Sequence, residues 1–123
     1  MLLDSNIVIY GIQQRYSDLL MWLEAQPDPI CDSHITKIEV LGFYGLPVTE
    51  RMRLTDYFAQ LAVITLREDI VAEAIRLRQL KRMKLGDSII AATALTHRLT
   101  LVTHNTADFS GILNLCLIDP LAP

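Results

Sequence analysis

The sequence predicts an α/β fold, a three-layer α/β/α sandwich around a mostly parallel sheet of about five strands. Short apolar runs alternate with longer helical patterns along the chain, as in βα units that are joined by right-handed crossovers. The apolar runs also lack a clean in–out alternation, which indicates strands that are covered on both faces.

The strands and helices can be assigned in order from apolar spacing and capping residues. The predicted strands span residues 1–3, 30–33, 61–66, 100–103 and 115–118. Asp4 and Ser5 offer an N-cap to a first helix that runs to residue 12. The other predicted helices span residues 17–26, 35–44, 49–60, 68–83 and 87–97, and residues 104–109 are predicted to form a polar turn.

Bulk composition favours one compact domain that covers residues 1–123. Half of the residues are apolar (51%), and no linker-like tract divides the chain. The longest run without a charged residue is ten residues, which is too short to cross a membrane. We find no secretory signal and interpret Cys31 and Cys116 as buried free thiols, so we expect a cytoplasmic protein.

Basic residues are concentrated in one segment of an otherwise acidic chain. The net charge is −3, yet residues 67–84 contain six basic and three acidic residues. This basic segment leads directly into Gly86 and Asp87. It is either a solvated helix face or a surface that contacts phosphates, and the candidates for contact are Arg78, Lys81, Arg82 and Lys84.

Four carboxylates are candidates for one site. Asp4 and Asp108 follow predicted strands, and ligands of parallel sheets bind beyond the carboxyl ends of the strands. Asp87 precedes a very apolar helix and could be its N-cap, part of a site, or both. Glu39 lies in a helix that is apolar around most of its girth, so we expect it to be buried and to need a charged partner.

A divalent cation would relieve the repulsion between four converging carboxylates. Hard cations such as Mg²⁺ prefer oxygen ligands and keep several waters. A metal-bound water loses its proton readily, and the ion stabilises charge on a phosphoryl oxygen. The sequence therefore favours phosphodiester hydrolysis.

Four segments in this order resemble the PIN-domain nucleases, specifically the VapC-type toxins of bacterial toxin–antitoxin pairs. The segments are 2–7 (LLDSNI), 36–40 (TKIEV), 85–94 (LGDSIIAATA) and 101–109 (LVTHNTADF). The resemblance implies an endoribonuclease in which Asp4, Glu39, Asp87 and Asp108 hold Mg²⁺ or Mn²⁺. It also implies that Asn6, Thr103 and Asn105 orient ligands or water, and that the protein forms a homodimer and binds a cognate antitoxin.

Three other interpretations stay open at this point. The chain could be a binding module that has the same fold but no activity. A haloacid-dehalogenase-like phosphatase would use Asp4 as a nucleophile, but that class has a second Asp two residues later, where this chain has Asn6. A receiver domain would need a phosphorylatable Asp after the strand at 61–66, and none is present there.

Overall fold

The computed structural model describes residues 1–13 and 16–122. The strands are β1 (Leu2–Leu3), β2 (Cys31–Ser33), β3 (Ala62–Ile64), β4 (Leu101–Val102) and β5 (Leu117–Ile118). The helices are α1 (Ser5–Gly11), α2 (Ser17–Glu24), α3 (His34–Leu41), α4 (Val48–Ala59), α5 (Glu68–Leu80), α6 (Leu85–His97) and α7 (Thr106–Phe109). These elements confirm the predicted α/β class.

All strand pairs of the sheet are parallel, and the strand order is β3-β2-β1-β4-β5. In the central strand, Leu2 pairs with Cys31 on one side and with Leu101 on the other. The chain therefore builds outward from β1 through β2 and β3, and then crosses to β4 and β5 on the other side. This reversal opens a crevice beyond the carboxyl ends of β1 and β4.

Each face of the sheet has its own apolar core, because successive side chains of a strand point to opposite faces. Leu2 and Leu101 pack with residues of α5 and α6, among them Ile70, Leu77 and Ile90. Leu3 and Val102 pack on the other face with residues of α1, α2, α3 and α4: Ile7, Val8, Leu19, Leu23, Val40, Leu54 and Phe58. The two cores explain why four of the five strands, all except β2, are entirely apolar.

Two local predictions need correction. The segment 104–109 is not only a turn, because Thr106–Phe109 form α7, and the Phe109 side chain is buried in the core. Both cysteines are free, but neither is fully buried: Cys31 is half-buried, and Cys116 is exposed because it directly precedes the edge strand β5. Within the described part of the chain, none of the helices has both the length and the hydropathy that a membrane span needs.

Asp32 is an ionisable side chain in the interior of the protein. It lies in the middle of β2 and is fully buried (0% exposed). Among the described residues, the Asp32 oxygens and the Tyr57 hydroxyl form no hydrogen bond of regular geometry. Tyr57 is nevertheless close enough to stabilise the Asp32 anion. Burial is the stronger effect and raises the pKa of Asp32 to about 7.

Candidate functional site

Asp4 lies at the crevice between β1 and β4 and is nearly buried (6% exposed). It is the N-cap of α1, where its Oδ1 accepts a hydrogen bond from the Ser5 amide at 2.8 Å. Its Oδ2 accepts a hydrogen bond from the Thr103 hydroxyl at 2.8 Å, and Thr103 directly follows β4. The carboxylate is therefore held by groups from both sides of the crevice.

Glu39 reaches the site from the second turn of α3. Ser5 Oγ donates to Glu39 Oε1 at 2.8 Å and lies 3.4 Å from the Thr36 hydroxyl, one helical turn before Glu39. The prediction that Glu39 is buried is wrong, because residues 37–39 of α3 are exposed, whereas Thr36 and Val40 face the interior. The carboxylate thus has a hydroxyl donor within the protein and is also accessible to solvent.

Asp87 reaches the site from the first turn of α6. The helix begins at Leu85, and its N-cap is Lys84. Of the alternatives for Asp87, the N-cap is therefore excluded, because Asp87 is the third residue of the helix. Gly86 lies so close to Glu39 that a Cβ atom at this position would be 3.1 Å from Glu39 Oε2. The missing side chain of Gly86 allows α6 and α3 to approach each other and brings Asp87 towards Glu39.

Asp108 belongs to α7, the short helix that follows β4. Its side chain is exposed, but the helix is fixed by the buried Phe109 next to it. The backbone before it is ordered by the Asn105 amide, which donates to Thr103 Oγ1 at 3.0 Å. Thr103 therefore links the Asp4 carboxylate to the loop that leads to Asp108. Asn105 itself is exposed, and Asn6 is half-buried in the first turn of α1.

The four acids act on one another electrostatically. Burial raises the pKa of Asp4, the hydrogen bonds from Thr103 and Ser5 oppose this shift, and the charges of Glu39 and Asp108 add to it. Burial also raises the pKa of Asp87 to about 6, with further contributions from Asp4, Asp108 and Glu39, and the Lys84 charge acts in the opposite direction. The acids that the sequence analysis selected are thus brought together in one negatively charged region.

The donor set fits a hard divalent cation, although the carboxylates do not enclose one. In the described ranges, no three Asp, Glu, His or Cys side chains stand close enough to form a ready-made metal cluster. A cation that keeps most of its waters needs only one or two direct carboxylate ligands. It would also offset the repulsion between the acids, which adds to the effect of burial on the pKa values of Asp4 and Asp87. Asp4, Glu39, Asp87 and Asp108 are therefore suitable oxygen donors.

A cleft of about 360 Å³ adjoins the acids, with basic residues along one wall. It is lined by Lys81, Arg82, Met83, Lys84, Asp87, Ala107 and Asp108. The side chains of Arg78, Arg82 and Lys84 are exposed. Lys81 differs, because its ammonium group donates to the backbone carbonyls of Asp108 and Ser110.

A larger cavity of about 540 Å³ lies at the opposite edge of the sheet, where β4 and β5 begin. Glu73 is its one carboxylate among the described residues, and it is paired with Arg76. None of the four acids lines this cavity.

The structure adds Ser5, Thr36 and Gly86 to the surroundings of the site. Thr36 lies three residues before Glu39, so helical spacing could have identified it, and Ser5 directly follows Asp4 in the sequence. The contact of Gly86 with Glu39 joins two distant segments and has no local signal in the sequence.

Proteins of one family resemble this chain in both sequence and fold. The family described as PIN domain matches residues 1–112. Ribonuclease VapC2 of Haemophilus influenzae is 29% identical over 124 aligned positions, which cover 93% of this chain and 92% of that protein. A chain of a toxin–antitoxin complex from Klebsiella pneumoniae superposes with a TM-score of 0.83 at 34% identity, covering 99% of this chain and 98% of that one. A chain of VapBC2 from Rickettsia felis, whose structure was solved with a DNA fragment from its promoter, superposes with a TM-score of 0.81 at 24% identity. The superposition covers 95% of this chain and 96% of that one, and at this identity it shows the shared fold alone.

Proposed function

Because the chain belongs to the PIN-domain family, we propose that it is an endoribonuclease that hydrolyses RNA phosphodiester bonds with Mg²⁺ or Mn²⁺. One observation carries this proposal. The carboxylates of Asp4, Glu39, Asp87 and Asp108 come from four different parts of the chain and interact electrostatically at the crevice between β1 and β4. A relative of similar length is named a ribonuclease.

In this proposal the four carboxylates hold the cation. When bound, the ion would supply an activated water and would stabilise negative charge on the phosphoryl oxygens. The residues around the acids keep them in place: Thr103 and the Ser5 amide fix Asp4, and the Ser5 hydroxyl orients Glu39. Asn6 and Asn105 are proposed to orient water or substrate beside the first and fourth acids.

The basic wall of the cleft is the proposed approach for RNA. Arg78, Arg82 and Lys84 are exposed on the segment that leads into α6, and contacts with phosphates would position the RNA backbone without selecting a base sequence. The acids repel a phosphate, and the basic residues beside them offset that repulsion. The bound cation would reduce it further.

We also propose that the protein is the toxin of a two-component pair, with a cognate antitoxin and a homodimeric state in the cytoplasm. The proposal is supported by the similarity to a chain of a toxin–antitoxin complex at 34% identity. Large apolar side chains are exposed around the end of α3 and the start of α4, namely Ile38, Phe43, Tyr44, Val48 and Met52. Apolar surface of this kind is typical of protein–protein interfaces.

Removal of divalent cations tests the proposed activity. We expect the purified protein to cleave total bacterial RNA in Mg²⁺ or Mn²⁺ and to lose at least about 100-fold of its rate in EDTA, because the activated water is then missing. Added Mn²⁺ should restore the rate. An Asp87→Asn variant purified in the same way controls for contaminating nucleases. Cleavage that continues in EDTA would refute the metal mechanism, and RNA binding without cleavage would favour the inactive binding module.

Substitution of Gly86 by Ala tests the packing of α6 against Glu39. The new Cβ would lie 3.1 Å from Glu39 Oε2, so the carboxylate has to shift by a few tenths of an ångström. We expect RNA cleavage to fall by roughly 10-fold, since a displacement of about 1 Å at a catalytic group can cost about 100-fold. The melting temperature should not fall, because Ala favours a helix more than Gly does.

Gly11→Ala is the matched control, because a Cβ at Gly11 would meet no atom within 4 Å. It lies at the end of α1 and should leave the cleavage rate unchanged. If Gly86→Ala cleaves RNA as fast as the wild-type protein, the close approach of Gly86 to Glu39 does not matter for catalysis.

A further inference from the structure

Lys81 joins the end of α5 to the helix that carries Asp108. It is the C-cap residue of α5, and its backbone amide donates to the Leu77 carbonyl. Its side-chain Nζ donates to the Asp108 carbonyl at 3.1 Å and to the Ser110 carbonyl at 2.6 Å. One ammonium group thus binds two backbone carbonyls that lie 27 and 29 residues further along the chain.

Helix α7 depends on contacts of this kind. It has four residues, and a helix this short is not stable by itself in water. The last carbonyls of a helix also have no partner within the helix, and a cation placed there interacts favourably with the helix dipole. The Lys81 ammonium supplies both a donor and a positive charge at the end of α7 that lies next to Asp108.

We propose that Lys81 is a positioning residue, whose ammonium fixes the backbone of α7 and thereby the direction of the Asp108 carboxylate towards Asp87 and Asp4. This inference rests on the proposed metal-dependent function. It separates Lys81 from Arg82 and Lys84, which line the same cleft with exposed side chains. The resulting division of labour assigns Arg82 and Lys84 to the RNA backbone and Lys81 to the protein backbone.

The test compares Lys81→Met with Arg82→Met, because each variant removes one positive charge from the same wall of the cleft. Methionine keeps an unbranched apolar side chain of similar length but has no donor group. We expect Lys81→Met to bind Mn²⁺ about 10-fold more weakly in the metal-free protein, as measured by the electron paramagnetic resonance signal of free Mn²⁺. Arg82→Met should bind Mn²⁺ within about twofold of the wild type and should instead lower the salt dependence of RNA binding.

Hydrogen exchange of the α7 amides is the second measurement, and it does not depend on metal or activity. The Asp108 amide donates to the Asn105 carbonyl in the structure. Its exchange should accelerate by about 10-fold in Lys81→Met and stay unchanged in Arg82→Met, with the melting temperatures of both variants close to the wild type.

Two results would overturn the positioning role of Lys81. One is unchanged α7 exchange in Lys81→Met. The other is wild-type Mn²⁺ affinity combined with a reduced salt dependence of RNA binding, which would make Lys81 a phosphate contact. If the wild-type protein itself binds no Mn²⁺, the proposed function fails, and the exchange data still decide whether Lys81 holds α7.

Discussion

The Asp4→Asn variant is expected to cleave RNA roughly 100- to 1000-fold more slowly than the wild-type protein, the size of effect found when one preorganised charge-stabilising group is removed. Asp4 is nearly buried between β1 and β4 and interacts electrostatically with the other three acids. Its charge therefore acts on a cation with little screening by solvent. Asparagine keeps the shape of the side chain and removes the charge.

The loss should not arise from unfolding. Asparagine is as good an N-cap as aspartate, so it can still accept the hydrogen bond from the Ser5 amide. Removal of one of four repelling charges should also leave the melting temperature of the metal-free protein unchanged or slightly higher.

Asp56→Asn is the matched control for the Asp4 variant. Asp56 is exposed on α4, so this variant has the same net charge as Asp4→Asn but leaves the acids intact. Its initial rate on RNA in Mn²⁺ should lie within about twofold of the wild type. An Asp4→Asn variant that is as active as the Asp56 control would exclude Asp4 from the catalytic machinery.

The second large effect concerns stability and comes from Asp32. Its pKa is about 7 in the folded protein, because burial disfavours the charged form, whereas an aspartate in an unfolded chain has a pKa of about 3.9. At pH values between these two pKa values, the folded state binds more protons than the unfolded state. Stability must therefore fall as the pH rises. The difference of about 3 pKa units corresponds to about 4 kcal/mol.

Replacement of Asp32 by Asn should remove this pH dependence. The wild-type protein should lose about 4 kcal/mol of unfolding free energy relative to Asp32→Asn between pH 4 and pH 8, which is a large part of the usual stability of a small domain. Urea unfolding of both proteins across this range measures the difference. Taking that difference also removes the similar contributions of Asp4 and Asp87, which both proteins share.

The neighbours of Asp32 do not account for this effect. The pKa of Tyr57 is raised further above its normal value, mainly by burial, and the pKa of Cys31 is also raised by burial. Both groups therefore titrate above the pH range of the experiment. The Tyr57→Phe variant removes the hydroxyl that favours the Asp32 anion and should show a pH dependence at least as steep as that of the wild type. If wild-type and Asp32→Asn stabilities run parallel with pH, Asp32 is not the titrating group.

Local patterns in the sequence predicted the elements and part of the site. Short, mostly apolar strand segments without clean alternation, separated by helices, indicated a covered parallel sheet. The positions of Asp4 and Asp108 after strands placed both at its carboxyl edge. These inferences succeed because side-chain alternation and helical periodicity are properties of neighbouring residues. Glu39 and Asp87 entered the predicted site because of their places in apolar helices, and the resemblance to the family supported both, although no local pattern relates these two residues to each other.

The tertiary structure decided what depends on which segments meet. The side chains around Glu39 suggest a buried helix, yet α3 lies at the rim and leaves residues 37–39 exposed. Lys81 looks like one of several phosphate-binding cations, but α7 returns to place two carbonyls at its ammonium group. Nothing in the sequence next to Asp32 predicts that it is buried close to Tyr57. Each of these environments is created by residues more than twenty positions away, and the free energy of a buried or paired charge depends on those residues rather than on the adjacent sequence.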